Sequence, residues 1–413
     1  MKRIAPALAV LVFAASAAAQ SDPETAIVPS SLGPLRVTTV ASGLVNPWGI
    51  AFLPDGRALV TERPGRLRMI TNGVLSPALS GVPAVWAQGQ GGLLDVVVDP
   101  DFPANQRIYL TFAEAGNDGR AGTAVARARL VGQSLQDVQV IFRQKPKLSS
   151  GNHFGSRLVF DRQGHLYVTL GENNVRITAQ YLDHHQGKVV RLWPDGRIPA
   201  DNPFVARSDA LIDIWSYGHR NSQGAALNPW TGQLWLNEHG AMGGDEINIP
   251  AAGKNYGWPI ITHGLDYNGQ PIPESVGSSA PGMEQPIHYW VPSIGPSGMA
   301  FYQGFSMFPW QGDLFVGALA SRQLVRLDVV GNRVVGEERL LGSLGYRIRD
   351  VRAGPGGELY LLTDANNGRV LKVELAKPGW SRRLHDKPKP RAIAPSDGPA
   401  RIDRPKSAPR PVQ

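Results

Sequence analysis

Arg162-Gln163-Gly164, followed one residue later by Leu166-Tyr167-Val168-Thr169, decides the fold of this chain, because the same pattern returns five more times. Pro54-Asp55-Gly56 precedes Ala58-Leu59-Val60-Thr61, and Pro103-Ala104-Asn105 precedes Ile108-Tyr109-Leu110-Thr111. Trp230-Thr231-Gly232 leads to Leu234-Trp235-Leu236-Asn237, Trp310-Gln311-Gly312 to Leu314-Phe315-Val316-Gly317, and Pro355-Gly356-Gly357 to Leu359-Tyr360-Leu361-Leu362. Small residues supply the turn, and the apolar and aromatic run that follows suits a strand. The copies recur every 45 to 80 residues, with a second short strand after each, for example Gly187 to Leu192 and Gly368 to Leu375. A β-sandwich has no reason to repeat one unit six times. The reading is all-β: a six-bladed β-propeller of four-stranded antiparallel blades, with the longest insertions in blades 3 and 4.

Working outward, the chain divides into three parts. Met1, Lys2 and Arg3, an apolar run from Ile4 to Ala15, and Ala17-Ala18-Ala19 before Gln20 read as a signal peptide over residues 1–19. The apolar run is too short to span a bilayer, and no later segment does so either, so no integral membrane segment is expected in the mature chain. Residues 20–376 are assigned to the propeller, and 377–413 to a disordered, basic, Pro-rich tail. That tail matters for the charge of +8, since it holds ten Lys and Arg against three Asp. Without it, and without Lys2 and Arg3, the body is close to neutral, which excludes nucleic acid as a partner. The sequence has no cysteine, so thiol catalysis and cysteine-ligated zinc or iron are excluded, and an oxidising compartment needs no disulfides here.

Chemistry is expected where the loops meet at one end of a propeller's channel. Gly89-Gln90-Gly91-Gly92, Gly151-Asn152-His153-Phe154-Gly155-Ser156-Arg157, Tyr217-Gly218-His219-Arg220-Asn221, Glu238-His239-Gly240-Ala241 and Arg347-Ile348-Arg349-Asp350 are the candidate clusters. Arg220, Arg347 and Arg349 converging on one pocket would suit a ligand with several carboxylates, because guanidinium grips carboxylate with two parallel hydrogen bonds. Each arginine alone reads as an ordinary ion pair, and His153 alone fits a satisfied structural histidine as well as it fits a base. The chain has no HExxH, GxSxG or Walker motif.

These clusters, together with Asn255-Tyr256-Gly257-Trp258-Pro259, resemble the soluble quinoprotein glucose/sorbosone dehydrogenase family, and within it the periplasmic aldose sugar dehydrogenases, from about Leu44 to Leu375. The resemblance implies pyrroloquinoline quinone (PQQ) over the channel, a calcium ion (Ca2+) on the quinone, and oxidation of an aldose at C1 to its lactone in the periplasm. It makes His153 the general base, and gives Gln90, Arg220, Asn221, Arg347 and Arg349 to PQQ. Main-chain carbonyls of Gly240 and Ala241 would hold calcium, and Trp290 or Tyr289 would stack on the cofactor. The electron acceptor would be an unidentified quinone or cytochrome. Two departures stand out. Members of that family commonly have Gly-Pro where this chain has Gly240-Ala241, and the glucose dehydrogenase branch has a PQQ-contacting lysine near Ala320-Ser321-Arg322, where either Arg322 substitutes or cofactor affinity is lower. The rival readings are a calcium-dependent propeller lactonase, which needs a ring of acidic and amide ligands, and a non-catalytic binding propeller.

Overall fold

The computed structural model describes residues 24–376; the signal segment 1–19 and the tail 377–413 lie outside the described residues. Each of the six quadruplets lies in the second strand of its own sheet. Blade 1 comprises Pro47–Phe52, Ala58–Glu62, Arg66–Thr71 and Val74–Leu75; blade 2, Leu93–Val98, Arg107–Ala115, Ala121–Val131 and Ser134–Arg143. Blade 3 comprises Leu158–Phe160, Leu166–Leu170, Lys188–Leu192 and Ile214–Tyr217; blade 4, Ser222–Leu227, Leu234–Glu238, Asp245–Asn248 and His288–Trp290. Blade 5 comprises Pro296–Phe301, Leu314–Ala318, Gln323–Val330 and Arg333–Leu340. All pairings within the blades are antiparallel.

Blade 6 closes the ring. Ile348–Ala353, Leu359–Thr363 and Gly368–Leu375 come from the end of the described chain, and Leu35–Leu44 joins them from its beginning, pairing Leu35 with Leu375 and Leu44 with Gly368. Thr25–Val28 adds a fifth strand at the outer edge. The two long insertions fall in blades 3 and 4, between their third and fourth strands.

Most second strands are buried along their full length. A blade is covered on both faces by its neighbours, so these strands carry unbroken apolar runs instead of an apolar and polar alternation. One hydrophobic cluster fills each seam between blades: Leu59, Met69 and Leu110 between 1 and 2, Tyr109 and Val168 between 2 and 3, and Tyr167 and Leu236 between 3 and 4. Trp235 and Val316 join 4 to 5, Phe315 and Leu361 join 5 to 6, and Val60 and Leu362 join 6 to 1. Each such side chain removed from water stabilises the ring by about 1.5–3 kcal/mol.

The last residue of the quadruplet explains how neighbouring blades register. Thr61 donates to the carbonyl of Leu94, Thr111 to Ser156, Thr169 to Ser222, and Asn237 to Ser297, in each case on the first strand of the next blade or the turn leading into it. Ser297 continues the pattern to Ile348, and Asp350 accepts from the Ile50 amide to complete the circle. Deeper on the axis, Arg157 and Arg352 neutralise Asp95 and Asp350. Gly298 is required there, since a Cβ would sit 1.9 Å from Asp350 Oδ1.

Candidate active site

A cavity of about 490 Å³ opens at one end of the ring. Most of its wall comes from two recurring places, the entry into the first strand of a blade and the residues just after the second. Trp48, Leu94, Gly155, Gln223, Gly295, Arg347 and Arg349 belong to the first kind; Arg63, His239, Gly240, Ala241, Leu319, Ala320 and Asp364 belong to the second. This is why residues far apart in sequence meet.

Arg347 and Arg349 alternate along one edge of blade 6, so both face the cavity. Both donate to one oxygen, Asp364 Oδ2, at 3.0 Å. Arg347 also donates to the Leu319 carbonyl at 3.1 Å, and Arg349 to Gln223 Oε1 at 3.1 Å. Burial works against the charge on Asp364, but the two guanidiniums outweigh it and hold the carboxyl below its ordinary value. One carboxylate between two arginines leaves positive charge in excess, and Arg349 Nε is buried without a partner. Arg63 adds a third guanidinium to the wall and donates to the Gly89 carbonyl.

Gln90 lines the cavity and its Oε1 accepts the His153 amide at 2.9 Å. This bond helps hold His153 in the left-handed backbone region, at φ 50°. His153 is buried and is not itself a lining residue, although Phe154 and Gly155 beside it are. Its Nδ1 lies 2.6 Å from Glu172 Oε2, while its Nε2 makes no hydrogen bond among the described residues. A proton on Nδ1 shared with Glu172 leaves the Nε2 lone pair free for a substrate proton. Gly171 permits this, because a Cβ there would lie 2.0 Å from the His153 carbonyl oxygen.

Arg220 and Asn221 sit one layer behind the wall. Arg220 donates to the His239 carbonyl at 3.2 Å and to Tyr267 Oη at 3.4 Å, with its guanidinium over Trp258 and its Nε buried without a partner. Asn221 Oδ1 accepts from the Gly155 amide at 3.2 Å and from Gln223 Nε2 at 3.1 Å, so it braces two lining residues. Burial pulls His239 down to about 4, which keeps it neutral near pH 7.

Gly240 and Ala241 both line the cavity. Their turn is folded so tightly that a Cβ on Gly240 would lie 2.1 Å from the Gly243 carbonyl oxygen. Asp245 fixes it by accepting the Gly240 amide at 2.9 Å, and its other oxygen accepts the Ile294 and Gly295 amides at 2.8 Å. Asp245 is thus committed to these amides and to the Ser293 hydroxyl, which donates to it at 2.9 Å. Among the described residues no three His, Asp or Glu side chains gather as metal ligands. A calcium ion at this turn would rely on main-chain oxygens and on the ligand itself. A polycarboxylate with its own oxygens fits such a wall, with arginine donors in surplus on one side and a glycine turn on the other.

Trp290 lies elsewhere than the sequence suggested. It ends the outermost strand of blade 4 opposite Asp245, which turns its ring into the seam with blade 5, where Nε1 donates to Glu337 at 2.8 Å. Tyr289 stacks on His263 at 3.9 Å. The aromatic rings on the cavity wall are Trp48, Phe154 and Tyr267. Arg322 is exposed and is not on the wall, whereas Ala320 is. Sequence reasoning missed Arg63, Glu172 and Asp364. Each follows a second strand by one or two residues, as His239 and Ala320 do, a position whose meaning shows only once the blades are seen together.

The fold and this site define a six-bladed propeller with an arginine-rich cavity at one end of its channel. The chain belongs to the glucose/sorbosone dehydrogenase family, whose model matches residues 44–372. It is 54% identical over 343 residues to the aldose sugar dehydrogenase YliI of Escherichia coli (strain K12), spanning 82% of this chain and 92% of that relative. The crystal structure of the soluble E. coli aldose sugar dehydrogenase in its apo-form superposes with a TM-score of 0.81 at 54% identity, covering 82% of this chain and 99% of that one. The PQQ-bound aldose sugar dehydrogenase of Streptomyces coelicolor gives 0.67 at 27% identity, over 86% of this chain and 100% of that one.

Proposed function

We propose that this protein is a periplasmic, PQQ- and calcium-dependent aldose dehydrogenase that oxidises the C1 hydroxyl of the sugar ring to a lactone. The observation that carries the reading is one cavity bounded by Arg347 and Arg349 on Asp364 and flanked by His153 on Glu172. When bound, PQQ supplies the two-electron acceptor for the C1 hydride, and calcium supplies the Lewis acid that polarises the receiving carbonyl. His153 Nε2 takes the proton of the C1 hydroxyl as that hydride leaves. Glu172 holds the ring by Nδ1 and stabilises the imidazolium that forms. Arg347 and Arg349 hold cofactor carboxylates from the wall, with Arg63 in place of the lysine of the glucose dehydrogenase branch. Gln90 supports His153 and faces the cofactor, while Arg220 and Asn221 act from behind by fixing His239, Gly155 and Gln223. Gly240 and Ala241 offer main-chain oxygens to calcium. The final electron acceptor would be an external quinone or cytochrome.

The test is dye reduction by purified protein given PQQ, Ca2+ and a panel of aldoses, with cofactor binding titrated separately. His153→Ala is expected to bind PQQ normally and lose on the order of 10²–10⁴-fold in kcat. Arg347→Ala is expected to weaken PQQ binding first. Undiminished turnover in the His153 variant would overturn its role.

A further inference from the structure

A second hollow, of about 250 Å³, lies on blade 2 and is lined chiefly by Asn105, Arg107, Arg127, Arg129, Asp137 and Gln139. It shares no residue with the redox cavity. The second strand of blade 2 runs from Arg107 to Ala115, and second strands end at the mouth, so at about 3.3 Å per residue Arg107 stands roughly 25 Å away from it. Strand register brings the arginines together. Arg107 pairs directly with Arg129, and Tyr109 with Arg127, so alternation puts the three guanidiniums on one face. Like charges directly opposite one another weaken a sheet, and the chain supplies little to offset them. Arg129 has Asp137 at 3.0 Å, beside a bulge in the outermost strand, but that carboxylate is 73% exposed. Arg127 is held by neutral oxygens: Gln139 Oε1 accepts from it twice, at 2.8 and 3.1 Å, and the Pro194 carbonyl of blade 3 accepts at 3.2 Å. That blade 3 turn is locked against blade 2, since a Cβ on Gly196 would lie 2.5 Å from the Ile141 carbonyl oxygen. The Arg107 guanidinium makes no hydrogen bond or ion pair among the described residues. Asp99, behind the hollow, is buried and taken up by the Tyr109 hydroxyl, the Asn105 side chain and the Asp101 amide.

We propose that this hollow binds a phosphate monoester between Arg107, Arg127 and Arg129, at a site separate from the redox cavity. Three guanidiniums against one lining carboxylate leave a surplus of two positive charges. A phosphate monoester carries about −1.5 to −2 at pH 7 on three acceptor oxygens, which matches that surplus, and guanidinium binds phosphate through paired, parallel hydrogen bonds. A single carboxylate would neutralise only half of it. The volume is several times the roughly 30 Å³ share of one water, so the group that bears the phosphate has room as well. Arg127 is oriented in advance, because an amide and a carbonyl fix its direction without cancelling its charge. Arg107 is free to close on the ligand. The folded body as a whole is close to neutral, so the attraction comes from this local arrangement and not from a general positive field. Two sources carry such a group, small soluble phosphate esters and lipid headgroups. Because no residue is shared with the redox cavity, the proposal does not depend on the dehydrogenase reading.

The experiment compares the full chain with its Arg107→Gln variant at fixed ionic strength. One arm is calorimetric titration with glycerol 3-phosphate; the other is co-sedimentation with phosphatidylcholine vesicles with and without phosphatidic acid. Wild type is expected to bind the soluble ester with a Kd below about 1 mM, or to bind vesicles in proportion to their phosphatidic acid, and Arg107→Gln should weaken that binding by about tenfold or more. The first result assigns soluble esters as the ligand, the second lipid headgroups. Arg107→Gln removes one of two facing like charges and loses no hydrogen bond, so its Tm without ligand should equal or exceed that of wild type, which separates lost binding from lost folding. Dye reduction with PQQ, Ca2+ and glucose should be the same in both proteins. Binding of neither probe by wild type, or binding undiminished in Arg107→Gln, would overturn the site.

Discussion

Replacing Arg157 with Ala removes the cation that sits on the axis below the cavity. Arg157 is 1% exposed, and its guanidinium lies 3.1 Å from Asp95 Oδ1 and 3.1 Å from Asp350 Oδ1. It also donates to the Gln223 carbonyl at 2.7 Å and the Arg349 carbonyl at 3.2 Å, and packs 4.0 Å over the Trp48 ring. In the variant, Arg352 remains as the one guanidinium on the two carboxylates, at 2.8 Å from Asp95 and 3.0 Å from Asp350. Breaking a buried ion pair by deleting one partner costs about 3–5 kcal/mol, and the surviving Arg352 places the expected loss near the lower end. At roughly 2.1 cal/mol/K of unfolding entropy per residue, a domain of about 350 residues shifts its Tm by about 1.4 °C per kcal/mol, so a fall of about 4 °C is expected in calorimetry. Arg157→Lys keeps the charge but cannot fork to two carboxylates and two carbonyls, and should fall between the two. Because Gln223 and Arg349 both line the cavity, PQQ affinity should drop alongside stability. A Tm for Arg157→Ala within 1 °C of wild type would refute the argument that this cation compensates the axial carboxylates.

Two further substitutions test the wall. Asp364 has a folded-state carboxyl held below its ordinary 3.8, so its contribution is present above that value and is lost as pH falls through the lower, folded one. Asp364→Asn should therefore lower Tm at pH 7, converge on wild type in acid, and loosen Arg347 and Arg349 enough to weaken PQQ binding; parallel Tm curves over the whole range would contradict this. Gly171→Ala places a methyl group against the His153 carbonyl and should cost about 1–3 kcal/mol of stability. It should also lower kcat by at least about tenfold with the circular dichroism of the sheets unchanged.

The propeller was legible because the second strand of each blade is buried on both faces. Burial from both sides forces a compact apolar signature that local sequence cannot easily hide. The closing strand Leu35–Leu44 has no such signature: its burial alternates only over its first residues and turns irregular where the register shifts, and its partner lies more than 300 residues away in sequence. The same distinction holds in the site. Arg347 and Arg349 were readable as a pair because alternation in a strand puts them on one side. Glu172 and Asp364 were not, since a lone carboxylate just after a strand looks like a solvated turn until a histidine or two arginines from other blades are seen against it. Trp290 misled for the opposite reason. It lies next in the chain to mouth residues, but pairing opposite Asp245 points its ring into a seam.

Closure of blade 6 has a consequence for how the molecule is assembled. Arg347, Arg349 and Asp364 all belong to that blade, and its third strand is clasped by a segment synthesised at the other extreme of the described chain. The anion-gripping corner is therefore finished last, after every other blade has the residues it needs. A ligand that bridges this corner to Gly240 and Ala241 of blade 4 draws on the closed ring alone, so by mass action it stabilises the annulus against opening at that joint.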